Sequence, residues 1–144
     1  MATIDVSKPI LDRNEKLAAE NRARFDAAGV FVLDLMSSPG AGKTSTILAT
    51  IAALRDRYGI AVLSDEAYTE IWFGAKPPPS ILSVRKEGVL AFFSMSKRSA
   101  MTGWRAGWVA GDARLVSLFR KVKTNIDSGT ATFIQDGAAA ALGD

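Results

Sequence analysis

Short apolar, β-prone runs alternate with helix-forming segments along this chain, and that alternation constrains its fold more than any other feature. Val30 to Met36 (VFVLDLM), Ile60 to Ser64 (IAVLS) and Val89 to Phe93 (VLAFF) are mostly apolar. Such runs read as buried strands, the kind expected in a parallel sheet covered on both faces. Trp104 to Ala110 (WRAGWVA) is a fourth, shorter and glycine-bearing, which suits a sheet edge. The segments between them read as helices. Pro9 to Ala28 is rich in Ala, Leu, Glu, Lys and Arg, with Ser7 as its cap and Gly29 as its stop. Lys43 to Arg57 places Ile47, Ile51 and Leu54 on one face. Asp112 can cap a helix from Ala113 to about Ile126, whose apolar stripe is Leu115, Val116, Leu118, Phe119, Val122 and Ile126. A last helix runs from about Thr132 to Leu142, while Pro77-Pro78-Pro79 marks a loop. The pattern predicts an α/β sandwich.

Composition narrows the chemistry. The chain has 144 residues, which suggests one domain. It holds no cysteine and no histidine, so disulfides, thiolate metal sites and Ser-His-Asp triads are excluded. A net charge of +3 mildly favours anionic ligands. The one basic cluster, Arg120, Lys121 and Lys123, reads as a solvated helix face, and no nucleic-acid recognition motif accompanies it. No apolar run approaches the roughly 20 residues that span a bilayer. The N-terminal MATIDVSKPI shows no signal peptide, so the expected setting is cytoplasmic, with neither nucleic acid nor membrane as partner.

Ser37-Ser38-Pro39-Gly40-Ala41-Gly42-Lys43-Thr44, followed by Ser45, lies between an expected strand and an expected helix, the context of a Walker A loop. Glycines there let backbone N–H groups turn inward around phosphate, and the helix start adds unpaired donors. Lys43 would meet the β and γ phosphates, and Thr44 would offer its hydroxyl to Mg²⁺. Residues 38–45 are therefore a candidate site for Mg-GTP, Mg-ATP, phosphate or sulfate. With LDRNEKLAAENR and LMSSPGAGKT, residues 7 to about 57 resemble the P-loop GTPase of hydrogenase nickel insertion. That resemblance implies GTP binding, although no Walker B strand and no NKxD motif follow.

Residues 60–144 carry different signals. VLSDEAYTE at 62–70, SMSKRSAMTGWRAGWVAGD at 94–112 and the helical tail from Ala113 resemble the large domain of fold-type I, pyridoxal-phosphate-dependent aminotransferases. The chemistry of that cofactor needs a lysine for its aldehyde and an acid for its pyridine nitrogen. By resemblance, Lys97 is the Schiff-base lysine and Asp65 the pyridine partner. Tyr68 would bond the ring hydroxyl. Ser94 and Arg105 would hold the phosphate, with Ser96 nearby.

Together these signals predict one chimeric α/β domain over 1–144, a GTPase-like fragment at 1–59 joined to a transferase-like fragment at 60–144. The aminotransferase resemblance makes the last three strands neighbours, the final one antiparallel. The expected fold is then a three-layer sandwich with a four-stranded sheet in order 1-2-3-4, three strands parallel, and helices on both faces. Lys43, Asp65 and Lys97 would line one crevice at the strand ends. Three functional readings follow. The chain is an engineered scaffold without a complete active site, a module binding a small anionic ligand at residues 37–44, or an aminotransferase remnant that binds pyridoxal phosphate through Lys97 without efficient transamination. A natural GTPase-like protein is a further alternative, and the oligomeric state is left open.

Overall fold

A computed structural model describes residues 7–36, 42–54 and 57–143, the side chains of 7–10 and 44 excepted. The chain divides into two compact units, Met1–Lys43 and Thr44–Asp144. In the first, helix α1 (Ser7–Ala27) forms where good helix formers are concentrated. It ends as expected at Gly29, whose φ of +64° closes a left-handed cap. The Gly29 N–H donates to Asp26 O at 3.1 Å and the Val30 N–H to Phe25 O at 2.9 Å, satisfying two terminal carbonyls.

Residues 30–36, expected as the first strand, carry no strand assignment. Phe31 and Met36 stay 89% and 86% exposed. An apolar run becomes a buried strand only when a ladder satisfies its backbone and both faces are covered. Neither occurs here among the described residues, so the sheet has three strands rather than four. The crevice expected to hold Lys43 beside Asp65 and Lys97 loses the strand on which that placement depended.

The second unit is built on that sheet. Helix α2 (Lys43–Leu54) precedes strand β1 (Val62–Asp65), which pairs in parallel with β2 (Val89–Ser94). A single turn, α3 (Met95–Arg98), leads toward β3 (Gly107–Gly111), which pairs antiparallel with β2. Helices α4 (Ala113–Lys123) and α5 (Thr132–Leu142) follow. The order β1-β2-β3, with an antiparallel edge, is the order expected for the last three strands. No helix among the described residues is long and apolar enough to cross a membrane.

β2 is central because both its faces are apolar. Val89 and Ala91 are fully buried and Leu90 nearly so. Ile47 and Leu48 of α2 pack with Ile81 and Leu82 against Val89 and Ala91. Leu54 is 38% exposed, so Leu48 takes the place expected for it on the buried face. Successive strand residues point to opposite faces. Accordingly, Phe92 meets Phe119 of α4 edge-on, centroids 5.5 Å apart. Ile81 belongs to a 3-10 turn, Ile81–Ser83, in the connection from β1 to β2. The prolines just before it prevent a helix there, and this irregular strap does part of the covering that a crossover helix usually does.

Asp112 fastens the start of α4 to the start of β2. Its Oδ1 accepts from the Arg114 N–H at 2.8 Å and the Leu115 N–H at 3.3 Å, and its Oδ2 accepts from the Gly88 N–H at 2.8 Å. The bond from Gly88, then those from Arg114 and Leu115, hold the Asp112 carboxyl below the ordinary carboxylate range. Beside it, Gly111 has φ +143°, and a Cβ there would lie 2.0 Å from Val89 O.

Two outcomes follow. Gly111→Ala should cost more than about 3 kcal/mol, since a backbone oxygen must move in the sheet centre, and urea titration measures this. Asp112→Ala should lower the thermal midpoint. Because the folded pKa is depressed, the stabilisation is present above the unfolded value of about 3.9 and is lost as pH falls through the folded value. The gap between wild-type and variant midpoints should therefore be wide at neutral pH and narrow in acid. A gap independent of pH would exclude a role for the ionised carboxylate.

Candidate functional site

Topology brings distant residues to one sheet edge. β1 and β2 run parallel, so their carboxyl ends lie side by side, with Asp65 closing one and Ser94 the other. β3 runs the opposite way, and its first residue, Gly107, pairs with Ser94. Arg105, two residues earlier, therefore arrives at the same edge. Open α/β sheets bind ligands at the carboxyl ends of their strands.

Local structure then sets each side chain. Asp65 Oδ1 accepts from the Ala67 N–H at 3.2 Å, an Asx turn that bends the chain after β1. The bend presents Tyr68, 61% exposed, toward the next strand's exit. There the Lys97 Nζ sits 5.2 Å from the Tyr68 ring centroid, a cation–π contact. Lys97 is carried by α3, which begins where Ser94 Oγ accepts from the Ser96 N–H at 3.2 Å. Met95, fully buried, anchors that turn, and its N–H donates to Ala106 O at 3.1 Å.

Arg105 is held at φ +51°, a left-handed conformation that non-glycine residues rarely adopt. Its guanidinium reaches back to Ser96 Oγ at 3.4 Å and to Thr102 O at 3.0 Å. Thr102 Oγ1 donates in turn to Ser96 O at 3.2 Å. A guanidinium and two hydroxyl-bearing residues thus gather next to the amine, the phenol and the carboxylate. Arg98 follows Lys97 on the same short helix. It pairs with Glu70 at 3.8 Å and donates to the carbonyl of Ala141 near the end of α5. Cations suit the last turn of a helix.

The sheet edge therefore brings together Asp65, Tyr68, Ser94, Lys97 and Arg105. The Walker-type residues fare differently. Ser38, Pro39, Gly40 and Ala41 lie outside the described residues, as does the side chain of Thr44. Gly42 precedes α2, Lys43 opens it, and Ser45 is exposed on it. A Walker A loop requires a strand running into it. No strand forms at 30–36, so that context is missing. Two features escaped the sequence reading. α3 has four residues, too few for periodicity to reveal. The other is Glu66, an acid that no motif marks, which is only 7% exposed.

Comparison with known proteins bears on both ends of the chain. The family model for aminotransferase class I and II matches residues 15–144. An LL-diaminopimelate aminotransferase of Desulforudis audaxviator is 41% identical over 118 residues, covering 80% of this chain and 30% of the relative. Another, of Maridesulfovibrio salexigens, is 33% identical over 141 residues, covering 93% and 36%. The crystal structure of an aminotransferase from Neisseria meningitidis superposes with a TM-score of 0.61 at 35% identity, over 67% of this chain and 26% of that one. The chain spans about a third of the length of the curated relatives named here.

These matches overturn the chimera. They run through the expected junction near residue 60 and take in the Walker-type loop, so the reading of an engineered scaffold limited to phosphate binding is wrong. They give no support to a P-loop GTPase segment, to a nucleotide or to Mg²⁺. A family match over residues 15–144, on a fold shared with solved aminotransferases, shows that this chain belongs to the class I and II aminotransferases.

Proposed function

We propose that this chain holds pyridoxal phosphate at the edge formed by β1, β2 and the start of β3, as part of an aminotransferase. Membership of the family implies that cofactor. The observation that carries the assignment to these residues is the convergence of Lys97 on Tyr68, beside Asp65, Ser94 and Arg105. The donor set fits the group. A flat phosphorylated pyridine aldehyde needs an amine, an acid, a phenol and an anion clamp, and this edge offers one of each. When bound, pyridoxal phosphate acts as an electron sink for carbanion chemistry at an amino acid's α-carbon.

Each residue has a distinct task. Lys97 holds the cofactor covalently through Nζ. Asp65 holds a proton at the pyridine nitrogen, because an adjacent carboxylate favours the charged ring. Tyr68 orients the ring through its hydroxyl. Arg105, with Ser94 and Ser96, binds phosphate by charge-assisted bonds, for which a guanidinium's fixed fork is suited. The names of the relatives support LL-diaminopimelate as the amino donor of the whole enzyme. The ligand is a small anion, and nothing in this reading involves nucleic acid or membrane.

Incubation with pyridoxal phosphate followed by borohydride should give one reduced adduct, mapped to Lys97 by mass spectrometry and absent from Lys97→Ala. Adducts spread over surface lysines such as Lys86 and Lys121 would show generic amine chemistry and reject the site. Arg105→Ala should weaken cofactor binding about 10- to 100-fold, the loss expected for charge-assisted hydrogen bonds of roughly 1.5–3 kcal/mol. Fluorescence titration reads this directly.

A further inference from the structure

Glu66 is the one buried charged or polar residue among those described. Its Oε1 accepts from the Ile81 N–H at 3.0 Å and from the Ser64 hydroxyl at 3.2 Å. Its Oε2 is buried with no hydrogen-bond partner among the described residues. The backbone of the same residue is equally engaged. Its N–H donates to Phe92 O at 2.8 Å, and its carbonyl accepts from the Thr69 N–H at 3.3 Å and the Thr69 hydroxyl at 2.9 Å. One residue thus joins four pieces: the end of β1, the adjoining β2, the turn that carries Tyr68, and the strap at Ile81.

A stabilising role alone does not account for this choice. A buried acceptor oxygen without a partner is costly. An apolar side chain of similar volume would cover the sheet without that cost. What the carboxylate does, and an apolar side chain cannot, is tie the start of the turn that carries Tyr68 to the Ile81 amide and the Ser64 hydroxyl. Asp65 is its chain neighbour, and Tyr68 lies inside the loop that its carbonyl closes. Both side chains are exposed, so little packing adds to the Asp65 bond with the Ala67 N–H and the Lys97 contact with Tyr68 in fixing them.

We infer that Glu66 is a positioning residue, which sets the turn presenting Asp65 and Tyr68 to a cofactor on Lys97. The inference rests on the cofactor reading above. Glu66 touches neither the cofactor nor the reacting atoms. It acts through the Ile81 strap and through the turn from Asp65 to Thr69. The carboxylate oxygen that accepts two bonds is the operative group. The substitution Glu66→Gln keeps that acceptor, whereas Glu66→Met fills the same volume without it.

The test uses the full chain as wild type, Glu66→Gln and Glu66→Met, with pyridoxal phosphate as the probe. Amide hydrogen exchange is read at Thr69 and Ile81, and visible circular dichroism of the bound cofactor reports how the ring is held. Glu66→Met should exchange about tenfold faster at Ile81, as expected for the loss of one buried hydrogen bond. Thr69, whose acceptor is the Glu66 backbone carbonyl, should also exchange faster because the turn is no longer held from Ile81, and the dichroism per bound cofactor should fall markedly. Glu66→Gln should restore both signals. If Glu66→Met changes only the thermal midpoint, with dichroism and Thr69 exchange as in wild type, the residue serves the fold alone and the inference is overturned. Glu66→Gln behaving like Glu66→Met also overturns it, because the acceptor would not be the operative group. A wild-type chain that takes no cofactor at Lys97 removes the cofactor reading and this inference together. Capture by the wild type with all three proteins alike removes the inference alone.

Discussion

The burial of β2 on both faces is the constraint from which the rest of the second unit follows. A fully buried strand needs a hydrogen-bonded neighbour on each side. β1 supplies one in parallel and β3 supplies the other antiparallel. That mixture gathers two strand exits and one strand entrance at a single edge. An all-antiparallel arrangement would have sent Asp65 and Ser94 to opposite ends of the sheet. The chemistry of the edge is thus a by-product of strand direction, and strand direction is enforced by what covers each face. α2 and the Ile81 strap lie over Val89 and Ala91, and α4 lies over Phe92.

Much of this architecture was legible in the residues. The run VLAFF, apolar on both faces, announced a buried strand. Asp112 before an amphipathic stripe announced the start of α4, and its side chain does bond the Arg114 and Leu115 amides. Gly29 marked the end of α1 because few other residues tolerate its backbone angles. The edge cluster was legible only as a composite. Lys97 or Asp65 alone would pass for a surface residue, and both are in fact exposed. What linked them was the spacing of several blocks, which a single position cannot carry.

The failures have physical causes as well. VFVLDLM has the composition of a buried strand, yet composition does not say which neighbour will pair with it. The Walker-type reading leaned on that strand and fell with it. A glycine-rich loop before a helix has many uses, and the residues around it decided the matter only when a family match ran straight through them. Glu66 was missed because the polarity of a side chain says nothing about the strap that will later bury it. That strap is assembled from Ile81, fifteen residues on, by a connection too irregular to show a period.

Ala100 and Arg105 bracket the turn between α3 and β3, and both hold positive φ. Neither is a residue that relaxes easily there, and each such position carries a strain of about 1–3 kcal/mol. A glycine at 105 would relieve the backbone and abolish the guanidinium. With Arg105 in the phosphate-binding role proposed above, the turn keeps a local conflict between conformational ease and ligand affinity. A glycine at 100 would relieve the same kind of strain without removing a functional group, so the two ends of one turn differ in what relaxation would cost.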